Sequence, residues 1–274
     1  MTPTCPLATR TASRQRALWA ALFALLCCAL VPPAHAQGQT LDEEGLSRVW
    51  GQALLSLTNT SLNGLDFTRI GLDADIKLSA NLSGLRLGEY AYGARNGTGA
   101  DIDIGQLRFG RSDAGEDQRT VAIANPYIEF VYAGSGSRRE VLGMRLGFGS
   151  ISGDVGLQMN SVSGSLLIQA GAAGQIDSRN DPLGGKRWDG LSCAANASCA
   201  LALSQIGGVT AGNADGPSRD LFLSVLKQAV NFPGTQAGVP LPDTAQAGFW
   251  LNWRDRLAAL NTSGVVPPNT HKGP

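Results

Sequence analysis

Residues 70–82 alternate without a fault: Ile70, Leu72, Ala74, Ile76, Leu78, Ala80 and Leu82 are apolar, and Gly71, Asp73, Asp75, Lys77, Ser79 and Asn81 lie between them. Successive side chains on a strand point to opposite faces, so this period of two predicts one half-buried β-strand. Its wet face is too charged to lie against lipid tails. Its dry face, with two Ala among larger aliphatics, suits packing under a helix or a second sheet. Shorter alternations recur as far as Ile168. The reading is a mainly β fold, an antiparallel meander forming a sandwich or barrel-like sheet, with short N-terminal and C-terminal helices.

The N-terminus carries Arg10, Arg14 and Arg16, an apolar run over 17–31, and then Pro32-Pro33-Ala34-His35-Ala36. This order predicts a secretory signal peptide over 1–36, cleaved after Ala36. Leu25 and Leu26 precede Cys27, which argues against a lipoprotein signal, and the apolar run is shorter than a membrane-spanning helix needs. Removing 1–36 takes away three of the 22 basic residues and none of the 22 acidic ones, leaving a formal charge of −3. That balance excludes a basic surface for nucleic acid or anionic lipid. The remaining length suits one β-rich domain over 37–264, and 43% hydrophobic residues argue against disorder despite the 35 Gly.

Within that domain, 41–52 reads as a short helix, with acids early and Leu46, Val49 and Trp50 available as a lid on the sheet end. A β-meander fills 53–170. It begins with a strand over 53–65 and runs through Ile102, Ile104, Leu107 and Phe109, then Ile128, Phe130 and Tyr132, then Leu142 to Phe148, and ends at Leu166 and Ile168. Gly134-Ser135-Gly136-Ser137 reads as a hairpin turn. A Gly-rich loop over 171–216 holds Cys193 and Cys199, which in an exported chain read as a disulfide. In the mixed part over 217–264, Leu221, Phe222, Val225 and Leu226 recur at helical spacing behind Ser218. The passage 249–257 is ambiguous between strand and helix. The tail 265–274 reads as disordered.

The chemistry-bearing residues are few. Beyond position 36 a single imidazole remains, His271, which excludes Ser-His-Asp catalysis and His-rich metal sites. No nucleophile elbow, phosphate loop or dinucleotide fingerprint is present, and the chain reads as a non-enzyme with no cofactor and no metal. The pairs Asp73/Asp75 and Asp101/Asp103, and Asp177 with Asn180 and Asp181, could offer oxygens to calcium, but read as a solvated strand face and a turn. Phe249, Trp250, Trp253 and Arg254 form an aromatic and cationic cluster, either a core cap or a partner-binding patch.

Three passages resemble a group of exported Gram-negative envelope proteins, some labelled pilus-system proteins of the Fil type. They are Leu41-Asp42-Glu43 with Leu46-Ser47 and Gly51-Gln52; Ala100-Asp101-Ile102-Asp103-Ile104 with Leu107-Arg108-Phe109-Gly110; and Asn125-Pro126-Tyr127-Ile128-Glu129-Phe130 with the 139–147 segment. The resemblance implies an envelope or surface role and supplies no catalytic residues. Three functions follow as expectations. The first is an exported, non-enzymatic assembly component of a surface structure such as a pilus, joining envelope partners by strand addition at its sheet edges. The second is a periplasmic or outer-membrane-associated module, peripheral to the membrane, that binds a lipid or other apolar molecule in a β-groove. The third, an outer-membrane barrel, is disfavoured by 6% aromatic content and by the absence of a closing amphipathic strand at 269–274.

Overall fold

The computed structural model describes residues 54–92, 97–195, 199, 201–234, 239 and 241–270. The expected signal peptide and the expected helix over 41–52 lie outside the described residues. The described part is mainly β, and contains no helix long and apolar enough to cross a membrane. Thirteen strands run in order: β1 (Leu55–Leu62), β2 (Leu65–Leu72), β3 (Asp75–Leu78), β4 (Ala80–Tyr92), β5 (Gly97–Phe109), β6 (Val121–Ala133), β7 (Glu140–Val162), β8 (Gly164–Gln169), β9 (Gln175–Asp177), β10 (Gly208–Ala211), β11 (Phe222–Leu226), β12 (Gly248–Trp253) and β13 (Leu257–Ala259).

The long strand β7, 23 residues, organises the rest because it changes partners along its length. Its first half pairs with β6 and β11, and its second half with β5 and β10. Gly153 sits where the partners change. Its φ of +120° suits glycine, and a Cβ there would crowd the backbone of Thr120 and Val121. From β7 the pairings run through β11, β12, β8, β13 and β10 and return to β7, closing a six-stranded barrel. Its core is apolar: Val155, Leu157, Met159 and Val162 of β7 are buried with Leu166, Val209, Trp253 and Leu257. Two wings extend beyond β7. One is β6-β2-β1, with β3 alongside β6, and the other is β5-β4.

Several expectations are corrected. The alternation over 70–82 is not one strand but the end of β2, all of β3 and the start of β4. β2 and β3 both lie along β6, interrupted at Asp73-Ala74, where Asn125 opposite takes a φ of +49°. After Ser79 the chain leaves that sheet, and β4 pairs with β5 instead. A period of two survives such breaks because the chain stays extended through them. Where Leu221, Phe222, Val225 and Leu226 suggest a helix behind Ser218, residues 222–226 form strand β11, wedged between β7 and β12. Both of its faces meet apolar surroundings, so its hydrophobic residues mimic helical spacing. In the ambiguous passage 249–257, residues 249–253 belong to strand β12 and Leu257 opens β13. Pairing is not wholly antiparallel, since β8 runs parallel to β12 and β13.

The tail is ordered over 265–270. Arg108 Nη1 donates to Pro267 O at 2.8 Å, Ser112 N to Pro268 O at 2.7 Å and Asn269 Nδ2 to Phe109 O at 2.9 Å. These bonds to β5 and the loop after it satisfy an extended segment whose composition alone looks like a loose end. Residues 271–274 lie outside the described part.

Candidate functional site

The register across one wing sorts its side chains into two rows. On one face lie Leu251, Leu223, Leu146, Ile128, Ile70 and Leu57, paired in turn from β12 to β1. In the second wing, Leu87, Leu85 and Leu82 of β4 stand opposite Ile102, Ile104 and Leu107 of β5. Between the wings is an open apolar groove of about 660 Å³. Its 20 lining residues include no charged side chain, and Tyr127 carries the single side-chain hydroxyl. Exposure rises toward the edges: Leu146 is 42% exposed, Leu57 67%, and Leu82, beyond Leu107, 45%. The face expected to be dry, with Ile70 and Leu72, therefore borders a groove and not a covering layer.

The reverse face of the first wing is closed. Phe67, Val131, Phe222 and Trp250 are buried there under Val230, Phe232 and Ala245. Into this layer the register also brings Arg69, Glu129, Arg145 and Ser224, one per strand from β2 to β11. Arg145 Nε donates to Glu129 Oε2 at 2.6 Å and Arg69 Nε to Glu129 Oε1 at 2.9 Å, with the Arg145 and Glu129 side chains 0% and 2% exposed. Arg145 Nη2 donates to Pro233 O at 3.0 Å, and the guanidinium lies 4.3 Å from the Phe232 ring centroid and 4.9 Å from that of Phe222. Such stacking suits the planar, weakly hydrated guanidinium. Arg145 Nη1 and the Tyr127 hydroxyl are buried and have no partner among the described residues. Burial pushes the Tyr127 phenol up from its ordinary value, outweighing the nearby guanidinium of Arg145. The Tyr127 ring lies over Gly147, where any side chain would collide with it.

The aromatic cluster expected at the C-terminal end is not an exposed patch. Trp250 and Trp253 are buried in different cores, Phe249 packs partly buried, and Trp253 Nε1 donates to Ser218 Oγ at 3.0 Å. Arg254 clamps Asp177 with two bonds of 2.8 and 2.9 Å and lies 3.8 Å from Asp243. Burial tends to raise both carboxyls, yet Arg254 at Asp177, and Arg179 with Ser165 at Asp243, hold them below the usual range. Asp220 goes the other way: burial raises it, although Arg254 N, Asp255 N and Asn252 Nδ2 all donate to it.

Cys193 and Cys199 form the disulfide, with Cα atoms 5.8 Å apart. Asp101 is buried, accepting from Phe249 N at 2.9 Å, and Asp103 accepts from Asn160 Nδ2 at 2.8 Å, while Asp73 and Asp75 are exposed. Asp181 accepts from Gly185 N at 2.8 Å. Among the described residues no three His, Cys, Asp or Glu side chains are grouped to hold a metal ion. The walls of the groove form from register between strands distant in the chain, which no local pattern in the sequence displays. Comparison with family models, curated proteins and solved structures finds no match, so the geometry of the groove itself carries the functional reading.

Proposed function

We propose that this chain is an exported, non-enzymatic protein of the cell envelope that binds an apolar ligand of hydrocarbon character, such as an acyl chain, between its wings. The observation that carries the reading is the groove of about 660 Å³ with no charged side chain in its lining. That volume lies in the ordinary range of ligand sites. Each methylene moved from water into it contributes roughly 0.8 kcal/mol, so a chain of about ten offsets several kcal/mol of lost freedom. With no charge in the lining to recognise a head group, selectivity falls on the hydrocarbon, and a polar head stays in water at the mouth. Export is supported by the leader-like residues 1–36 and by the Cys193–Cys199 bridge. The leucines exposed at the mouth suit delivery from a membrane surface, which fits peripheral outer-membrane association.

Mass spectrometry of protein recovered from a Gram-negative envelope, without detergent, tests this reading. A co-purifying lipid near one per chain is expected. Protein that carries none and takes up no apolar probe contradicts it. A second reading, a component of a pilus-like surface structure, is favoured by one observation, the exposed edge of β1.

A further inference from the structure

Among the described residues, β1, β3, β4 and β9 are hydrogen-bonded to a neighbouring strand on one side only. Such edges template pairing with other chains, and proteins blunt them with charge, brevity, proline or a kink. β3 is four residues long with Asp75 and Lys77, and β9 is three with Asp177. β4 carries Arg86 and Glu89, and Gly84 and Gly88 within it both take a φ of +64°. β1 has none of these devices. Its eight residues, Leu55-Ser56-Leu57-Thr58-Asn59-Thr60-Ser61-Leu62, include no charge, Pro or Gly, and all but the last are exposed. Its register with β2 is unbroken over all eight.

We propose that β1 is a pairing edge and that its occupant is a second copy of this chain, joined β1 to β1 antiparallel across a two-fold axis. Charge is the first ground: a neutral strand meets its own copy without repulsion, and no charge on β1 selects a foreign strand. The direction of the hydrogen bonds is the second. Leu62 and Leu65 close the β1-β2 hairpin across a two-residue turn, so even-numbered residues of β1 bond to β2. Leu54 O agrees, accepting from Asp73 N at 2.8 Å. The odd residues Leu55, Leu57, Asn59 and Ser61 therefore turn their N–H and C=O groups outward.

In an antiparallel pair outward residues face outward residues, so odd meets odd and the two-fold axis stands perpendicular to the sheet. Each sheet face is then continuous through the dimer. Leu57 ends the groove row at the edge of one copy and continues it into the other, covering a side chain that is 67% exposed in the single chain. Thr58 and Thr60 take the opposite face, where cross-strand Thr pairs are favourable. An eight-residue strand pair buries less than the roughly 1,200–2,000 Å² of a standard stable interface. The dimer is therefore weak, reversible and closed at two.

Sedimentation velocity from micromolar to millimolar protein tests this, with hydrogen exchange on the same samples. The expected mass rises from one chain toward two, and the N–H groups of Leu57 and Asn59 slow with concentration while those of Thr58 and Thr60 do not change. Thr60→Lys places on β1 the charge that β3 already uses, on an exposed side chain of the face away from the groove, so it should hold the protein at one chain and leave uptake of an apolar probe intact. A single mass at every concentration overturns the proposal. So do a dimer that Thr60→Lys leaves unchanged and growth beyond two copies. A parent protein that dimerises as expected but takes up no apolar probe counts against the groove alone.

Discussion

At the scale of residues, the least expected feature is the Arg69–Glu129–Arg145 row, in which buried Glu129 is shared by buried Arg145 and partly buried Arg69. Glu129→Gln would strand a fully buried guanidinium, and breaking such a pair typically costs about 3–5 kcal/mol. Adding Arg145→Met should recover part of that loss, a double-mutant cycle readable by urea denaturation. A Glu129→Gln protein as stable as the parent would contradict this account. The sequence displays these residues only as charges inside alternating runs, and alternation suggests that they face water. Ile128, Phe130 and Tyr132 look like a core face, yet the buried face of β6 carries Tyr127, Glu129 and Val131. Nothing local marks the inversion, since what neutralises Glu129 comes from two other strands. Asp177 and Asp243 carry a second residue-scale prediction. Both are held below their ordinary values, so the stability they lend is present above the usual carboxylate range, near 4, and is lost as pH falls through the lowered folded values. Asp177→Asn should flatten that acid limb in denaturation curves taken from neutral to about pH 3. An unchanged limb would contradict the Arg254 clamp.

At the scale of elements, the chain's turns were more legible than its strand limits. Asn63-Gly64, with φ of +53° and +77°, makes the tight turn joining β1 to β2, and that dipeptide is a strong hairpin signal in its own right. Reading 53–65 as a single opening strand passes over it. Gly64→Ala, forced into a left-handed conformation, should cost about 1 kcal/mol and loosen β1 first, measurable by thermal unfolding and exchange at Leu57. No loss on that substitution would mean the hairpin does not depend on the turn. The break at Ser79 was not legible, because a strand that changes sheets keeps its period. Nor was β11: five residues with apolar groups on both faces carry no clear period, and their neighbours β7 and β12 decide the outcome.

For the whole molecule, the expectation of a sandwich or barrel-like sheet holds at the level of class. The sequence does not reveal that a small closed barrel holds two wings apart. That follows from β7 serving both wings, and it places the apolar rows of both on a shared groove. In most β-proteins such rows meet and exclude water. Here Leu146, Ile128 and Ile70 stay about two-fifths exposed, which is the physical basis for a ligand site. The most direct measurement is a titration of purified protein with an apolar fluorescent probe, in the parent and in Leu146→Glu. Leu146 is on the groove face and partly exposed, so the variant should fold. The account predicts saturable uptake near one probe per chain and a loss of about tenfold or more in affinity in Leu146→Glu, as a carboxylate beside hydrocarbon would demand. No saturable uptake by the parent, or equal uptake by the variant, would contradict it.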